Sequence, residues 1–199
     1  MPLFVALKLP WRRTVKQLST FGYYQLTLLG KPAADRTIYQ LIKKHKFHSF
    51  VEIGMGTGQR CQRILQVASK FGGKPIRYTG IDLFDARTEN PLKLIDMHKT
   101  LGSFDAKTQL VPGSIEPSIQ RIANSHLRTD MIIISPDTQQ SDLNNVMSYL
   151  PRMLHANSMV LIQPRSGQKM KQLMRLDIER WAKKVKTNQK TAQSKQKSA

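Results

Sequence analysis

Gly54, Gly56 and Gly58 alternate with other residues in the stretch 49–60, SFVEIGMGTGQR, and Glu52 stands just ahead of them. Glycine at such a turn accepts positive φ and leaves no Cβ between the backbone and a ligand lying on it. A helix opening at Thr57 would aim its first N–H groups and the positive end of its dipole at the same spot, which suits a polar or anionic ligand. Asp82 lies 24 positions beyond Gly58, close to where nucleoside-binding folds place an acid for ribose hydroxyls. A strand-end aspartate capping the next turn is the other reading of Asp82. Ser114 can accept a hydrogen bond from a ligand or cap the helix that follows it. Asp137, after Ser135-Pro136, is the candidate for a base or substrate orienter, or else a turn former.

The elements that must position these groups follow from periodicity. Phe50, Val51 and Ile53 form a short apolar strand, and Cys61, Ile64, Leu65, Ala68 and Phe71 recur at helical spacing behind the glycines. Strands follow over 76–82, 108–112, 130–135 and 158–163, with helices over 91–101, 115–125 and 142–154 between them. The run Ile132-Ile133-Ile134 suits a strand buried on both faces of a parallel sheet. Strands alternating with helices predict a mainly parallel, doubly wound sheet with helices on both faces. Ligands in such sheets sit at the strand C-termini near the order reversal, and Gly54, Gly56, Gly58, Asp82, Ser114 and Asp137 all fall on that edge.

The spacing G-x-G-x-G is not the dinucleotide fingerprint G-x-G-x-x-G. The pattern E-x-G-x-G-x-G after a strand instead resembles motif I of the class I S-adenosylmethionine-dependent methyltransferases, and GIDLFD at 80–85 resembles their motif II. The resemblance covers residues 48–165. It implies a three-layer α/β sandwich and S-adenosylmethionine as cofactor, with Glu52 near its amino group, the glycines under its methionine part, Asp82 on the ribose and Ser114 near adenine. DMIIISPDT at 130–138 is similar to the D-x-x-F-I-D-G-D-H pattern of small-molecule members, which makes Asp137 the catalytic candidate. Ser135 stands where metal-dependent relatives carry an acid, and Ile162-Gln163-Pro164 also lacks one. A hard cation wants several carboxylate oxygens, so no metal is expected. The expected activity is methyl transfer to an unidentified acceptor. The alternative is a catalytically degenerate protein of the same fold that binds nucleic acid or another polyanion.

Formal charge supports that alternative as a possibility of composition: the net charge is +8 over 1–49, +2 over 50–164 and +9 over 165–199. Basic flanks around a near-neutral middle attract polyanions, and they also serve simple solubility. No apolar run approaches the roughly 20 residues of a membrane span. With the single Cys61, a cytoplasmic protein is expected. The chain divides into an N-terminal extension (1–47), the methyltransferase-like domain (48–165), an amphipathic helix (166–186) and a disordered basic tail (187–199). Met170, Leu173, Met174, Ile178, Trp181 and Val185 mark the helix, at 168–185. On this reading the last two strands of the resembled fold are missing, leaving the fifth strand open to the N-terminal region or to a second copy of the chain.

Overall fold

The computed structural model of the chain describes residues 17–136, 140–163 and 170–197. Its elements are α1 (Thr20–Leu28), α2 (Asp35–His45), β1 (Ser49–Ile53), α3 (Gln59–Phe71) and β2 (Arg77–Asp82), then α4 (Leu94–Leu101), β3 (Lys107–Pro112), α5 (Ile115–Ile122), β4 (Thr129–Ile134), α6 (Gln140–Met153), β5 (Leu154–Ile162), β6 (Lys171–Met174) and α7 (Arg175–Lys197). The six strands form one sheet in the order β3-β2-β1-β4-β5-β6, with the first five parallel and β6 antiparallel to β5. The strand order reverses between β1 and β4, where chain crossovers part to opposite faces and leave a crevice at the C-terminal edge.

Two apolar layers follow from the two-residue period of the strands. Phe50, Tyr78, Met131 and Ile133 face α2, α3 and α4, while Val51, Ile53, Ile81, Ile132 and Ile134 face α5, α6 and α7. All six residues of β4 are buried, as its isoleucine run requires. The order and faces of these elements place the C-terminal ends of β1, β2, β3 and β4 side by side. Ladder-end bonds from Gly54 N to Ile81 O at 2.9 Å and from Ser135 N to Ile53 O at 2.8 Å hold them there.

The region after β5 departs from the sequence expectation. Residues 171–174 form a strand paired with 159–162, not the first turn of a helix, so the edge of β5 is covered by the chain itself. Met170, Leu173 and Met174 fall at a helical spacing, but a strand here buries Leu173 against Val160 and Ile178, and the helix then starts at Arg175. Helix α7 also continues to Lys197, through most of the segment whose composition predicts disorder. Lys, Gln and Ala are good helix formers, and no Gly or Pro interrupts them. Among the described residues, no helix is long and apolar enough to cross a membrane.

Candidate active site

The chain leaves β1 through three left-handed glycines, with φ of 78° at Gly54, 59° at Gly56 and 75° at Gly58. Beyond the φ requirement, Gly54 and Gly58 are crowded: a Cβ would lie 2.6 Å from Ser135 Cβ at the first and 2.7 Å from Met97 Sδ at the second. Gly56 differs, because the space where its Cβ would stand is open. That opening faces a cleft of about 1100 Å³ lined by Gly54, Gly56, Thr57, Asp82, Leu83, Arg87, Ser114 and Ser135, among others. The cleft is partly open to solvent and has room for a cofactor-sized ligand.

Asp82, at the end of β2, turns toward the glycine bend. Its Oδ2 accepts from Met55 N at 2.6 Å and its Oδ1 from Phe84 N at 3.1 Å, so the carboxylate braces the turn. Arg87 completes the arrangement: Nε donates to Oδ1 at 2.6 Å, Nη2 donates to Oδ2, and Nη1 donates to Gly56 O at 2.7 Å. Burial works to raise the Asp82 pKa, but the bonds from Arg87 and from the two backbone N–H groups outweigh it and hold the carboxyl below its ordinary range. The site thus presents an ionised acid covered by a guanidinium.

Glu52 is elsewhere. It shares strand parity with Phe50, so its side chain lies beneath α3, fully buried and outside the cleft lining. There Arg60 Nε donates to Oε1 at 2.8 Å and Tyr78 OH donates to Oε2 at 2.6 Å. The same guanidinium donates to Gly54 O at 3.0 Å and to Gln163 Oε1 at 2.5 Å. The acid therefore anchors an arginine that supports the glycine turn from below, and Glu52, expected near the cofactor's amino group, is not among the residues that line the cleft.

Ser114 sits at the N-cap position of α5 and lines the cleft, but its side chain makes no cap hydrogen bond. Asp137 lies outside the described residues. Among those described, no group of three or more His, Cys, Asp or Glu is placed to hold a metal ion. Sequence reasoning missed Arg87, Leu83 and Asp142, which also line the cleft. Leu83 and Arg87 are loop residues without periodicity, and the one available signal was the position of Leu83 directly after the strand-end acid.

A doubly wound parallel sheet with one antiparallel edge strand is a fold this chain shares with solved methyltransferase structures. The chain matches the O-methyltransferase from Bacillus cereus in complex with SAH with a TM-score of 0.53 and 12% identity, over 78% of this chain and 68% of that one. It matches the SAH-bound Podospora anserina methyltransferase PaMTH1 with a TM-score of 0.51 and 12% identity, over 89% of this chain and 78% of that one. Against an O-methyltransferase family protein from Burkholderia thailandensis (12% identity, TM-score 0.46), 70% of this chain is covered but only 39% of that protein, so the chain spans less than half its length. No family model matches the chain, and no curated protein matches it in sequence.

Proposed function

We propose that the protein is a methyltransferase using S-adenosylmethionine as methyl donor. The observation that carries this reading is that Asp82, bonded to the glycine turn, and the open side of Gly56 line one cleft at the order reversal of the sheet. A bare backbone bend and an ionised carboxylate fit the adenosyl part of the cofactor: the first admits close approach, and the second accepts from ribose hydroxyls. Leu83 and Ile115 offer apolar surface to a flat base, with the Ser114 hydroxyl on the same lining.

When bound, the cofactor supplies a sulfonium whose methyl is already activated for in-line displacement, so positioning of the acceptor provides most of the rate. The residues of this chain have three tasks. Arg87 must release the outward side of Asp82, Asp82 must accept from the ribose, and the α3 N-terminus behind Gly56 and Thr57 supplies a positive dipole end. Ser135 and Asp142, from the β4 side, line the part of the cleft left for the acceptor. A cytoplasmic location fits the single Cys61, whose thiol is buried and donates to Gly58 O at 2.9 Å.

Calorimetric titration of the full chain with SAH, followed by transfer of a tritiated methyl group from S-adenosylmethionine into fractionated cell extract, tests both halves. Saturable binding with label entering one fraction is the expected result. Absence of binding overturns the cofactor assignment. Binding without transfer to any fraction overturns the activity and leaves the degenerate-fold alternative.

A further inference from the structure

Helix α1 is apolar on the wrong side. Its inward face holds Tyr23 and Thr27, both buried, while Phe21, Tyr24 and Leu28, at i, i+3 and i+7, point out with 71%, 50% and 63% of their surface exposed. Leu29, the next residue, is 72% exposed. An exposed apolar cluster of this kind, interrupted by Gln25, marks an interaction surface. The helix is not loosely attached: the Tyr23 ring meets the Phe71 ring edge-on at 4.7 Å, and Ser19 caps the first turn through Gly22 N at 2.9 Å.

The charge around this face has one sign. Lys43 places its ammonium 4.7 Å from the Tyr23 ring and 5.6 Å from the Tyr24 ring. Lys70 donates to Leu18 O at 2.9 Å, and Arg63 donates to Lys31 O at 2.6 Å. Lys31, Lys44 and Lys46 are exposed on the same layer of helices. Across α1, α2 and α3 the only carboxylate is Asp35, and it is buried toward Arg60; α4, on the same face of the sheet, adds the exposed Asp96. An exposed Phe, Tyr and two Leu with Lys43, Lys70 and Arg63 beside them, and no exposed acid among the described residues of α1 to α3, suit the headgroup region of an anionic bilayer.

We infer that the α1 face docks on an anionic lipid surface, with Phe21, Tyr24, Leu28 and Leu29 in the headgroup–acyl boundary and the surrounding lysines and arginines on lipid phosphates and carboxylates. Nucleic acid fits less well. It would use the cations and could stack on Phe21 and Tyr24, but Leu28 and Leu29 have no π-face to offer a base. The geometry also sets an orientation. Lys70, at the end of α3, bonds the start of α1, and Arg63, near the beginning of α3, bonds the chain just past the end of α1. The two helices therefore run antiparallel, and the Leu28–Leu29 end of α1 is the end nearer the glycine turn. This inference does not depend on the methyltransferase reading.

Sedimentation of the full chain with vesicles of phosphatidylcholine alone, or with one third phosphatidylserine, tests it. The chain should partition onto the anionic vesicles, and Phe21→Ser with Leu28→Ser should weaken that partition by about tenfold or more while leaving the thermal midpoint close to wild type. Lys43→Gln with Lys44→Gln should lower the anionic preference and make the loss with salt shallower. Three results overturn the inference: no vesicle binding by the full chain, vesicle binding that is indifferent to the Phe21/Leu28 pair, or that pair abolishing self-association or RNA binding instead of lipid binding.

Discussion

Arg87 holds both carboxylate oxygens of Asp82 in a two-point grip, Nε on Oδ1 at 2.6 Å and Nη2 on Oδ2. On the proposed reading the same oxygens would accept from the ribose, so arginine and cofactor would compete for one acceptor. Removing the arginine as Arg87→Ala should raise SAH affinity about fivefold or more, since the binding-competent arrangement no longer has to be reached against that contact. The ligand-free protein should lose about 1.5–3 kcal/mol, the usual worth of hydrogen bonds to a charged group. Calorimetry and urea denaturation read the two effects separately; weakened SAH binding would show that Arg87 contacts the ligand.

The three glycines should separate by what stands beside them. Gly56→Ala should cut SAH affinity at least about tenfold through its methyl in the cleft, with only about 1–2 kcal/mol of stability lost to the positive φ. Gly54→Ala meets Ser135 Cβ at 2.6 Å, on a strand end that cannot yield, and should destabilise more. Gly58→Ala meets the Met97 side chain, which can rotate, and should fall between them. Equal melting losses for Gly54→Ala and Gly56→Ala would contradict this ranking.

Glu52 and Arg60 form a buried pair with structural work to do. Glu52→Ala should cost about 3–5 kcal/mol, because it takes the nearest carboxylate from a nearly buried guanidinium. Any fall in SAH affinity should follow from disorder of the glycine turn and be relieved at low temperature, where the fold persists. A mutant of normal stability that fails to bind SAH would restore Glu52 as a direct ligand.

Asp130 ties β1, β4 and β5 together at the opposite edge, accepting from His48 N and Ser49 N, both at 2.9 Å, with His155 Nε2 also 2.9 Å away. Burial raises its pKa, but these bonds prevail and hold it below the ordinary 3.8. Asp82 is displaced the same way, whereas burial raises Asp35. A depressed carboxyl adds stability that is present above the unfolded pKa and lost as pH falls through the folded one. Unfolding free energy should therefore decline from about pH 5 downward. Asp130→Asn should be less stable at pH 7 and show a shallower acid decline, measured as urea midpoints across that range.

The sheet was legible from sequence because its strands are buried on both faces and its bend is made of glycines, two signals carried by residue type alone. Asp82 was legible for the same reason, standing at the end of a clear strand. The side of the sheet that Glu52 takes was also legible: counting from Phe50 puts its side chain under α3 with the aromatic. Arg87 carried no signal, because its partner is chosen by the path of a loop. Strand β6 was hidden by chance, since four residues give too few alternations to outweigh Met170, Leu173 and Met174 at helical spacing.

Strand β6 is a short tab folded back on the last parallel strand, and its own outer side offers only four residues of backbone, headed by a lysine. Growth of the sheet past β6 would have to start from that stub, which is too brief to template a neighbour. Concentrated solutions of this highly cationic chain should accordingly resist fibre formation at that end.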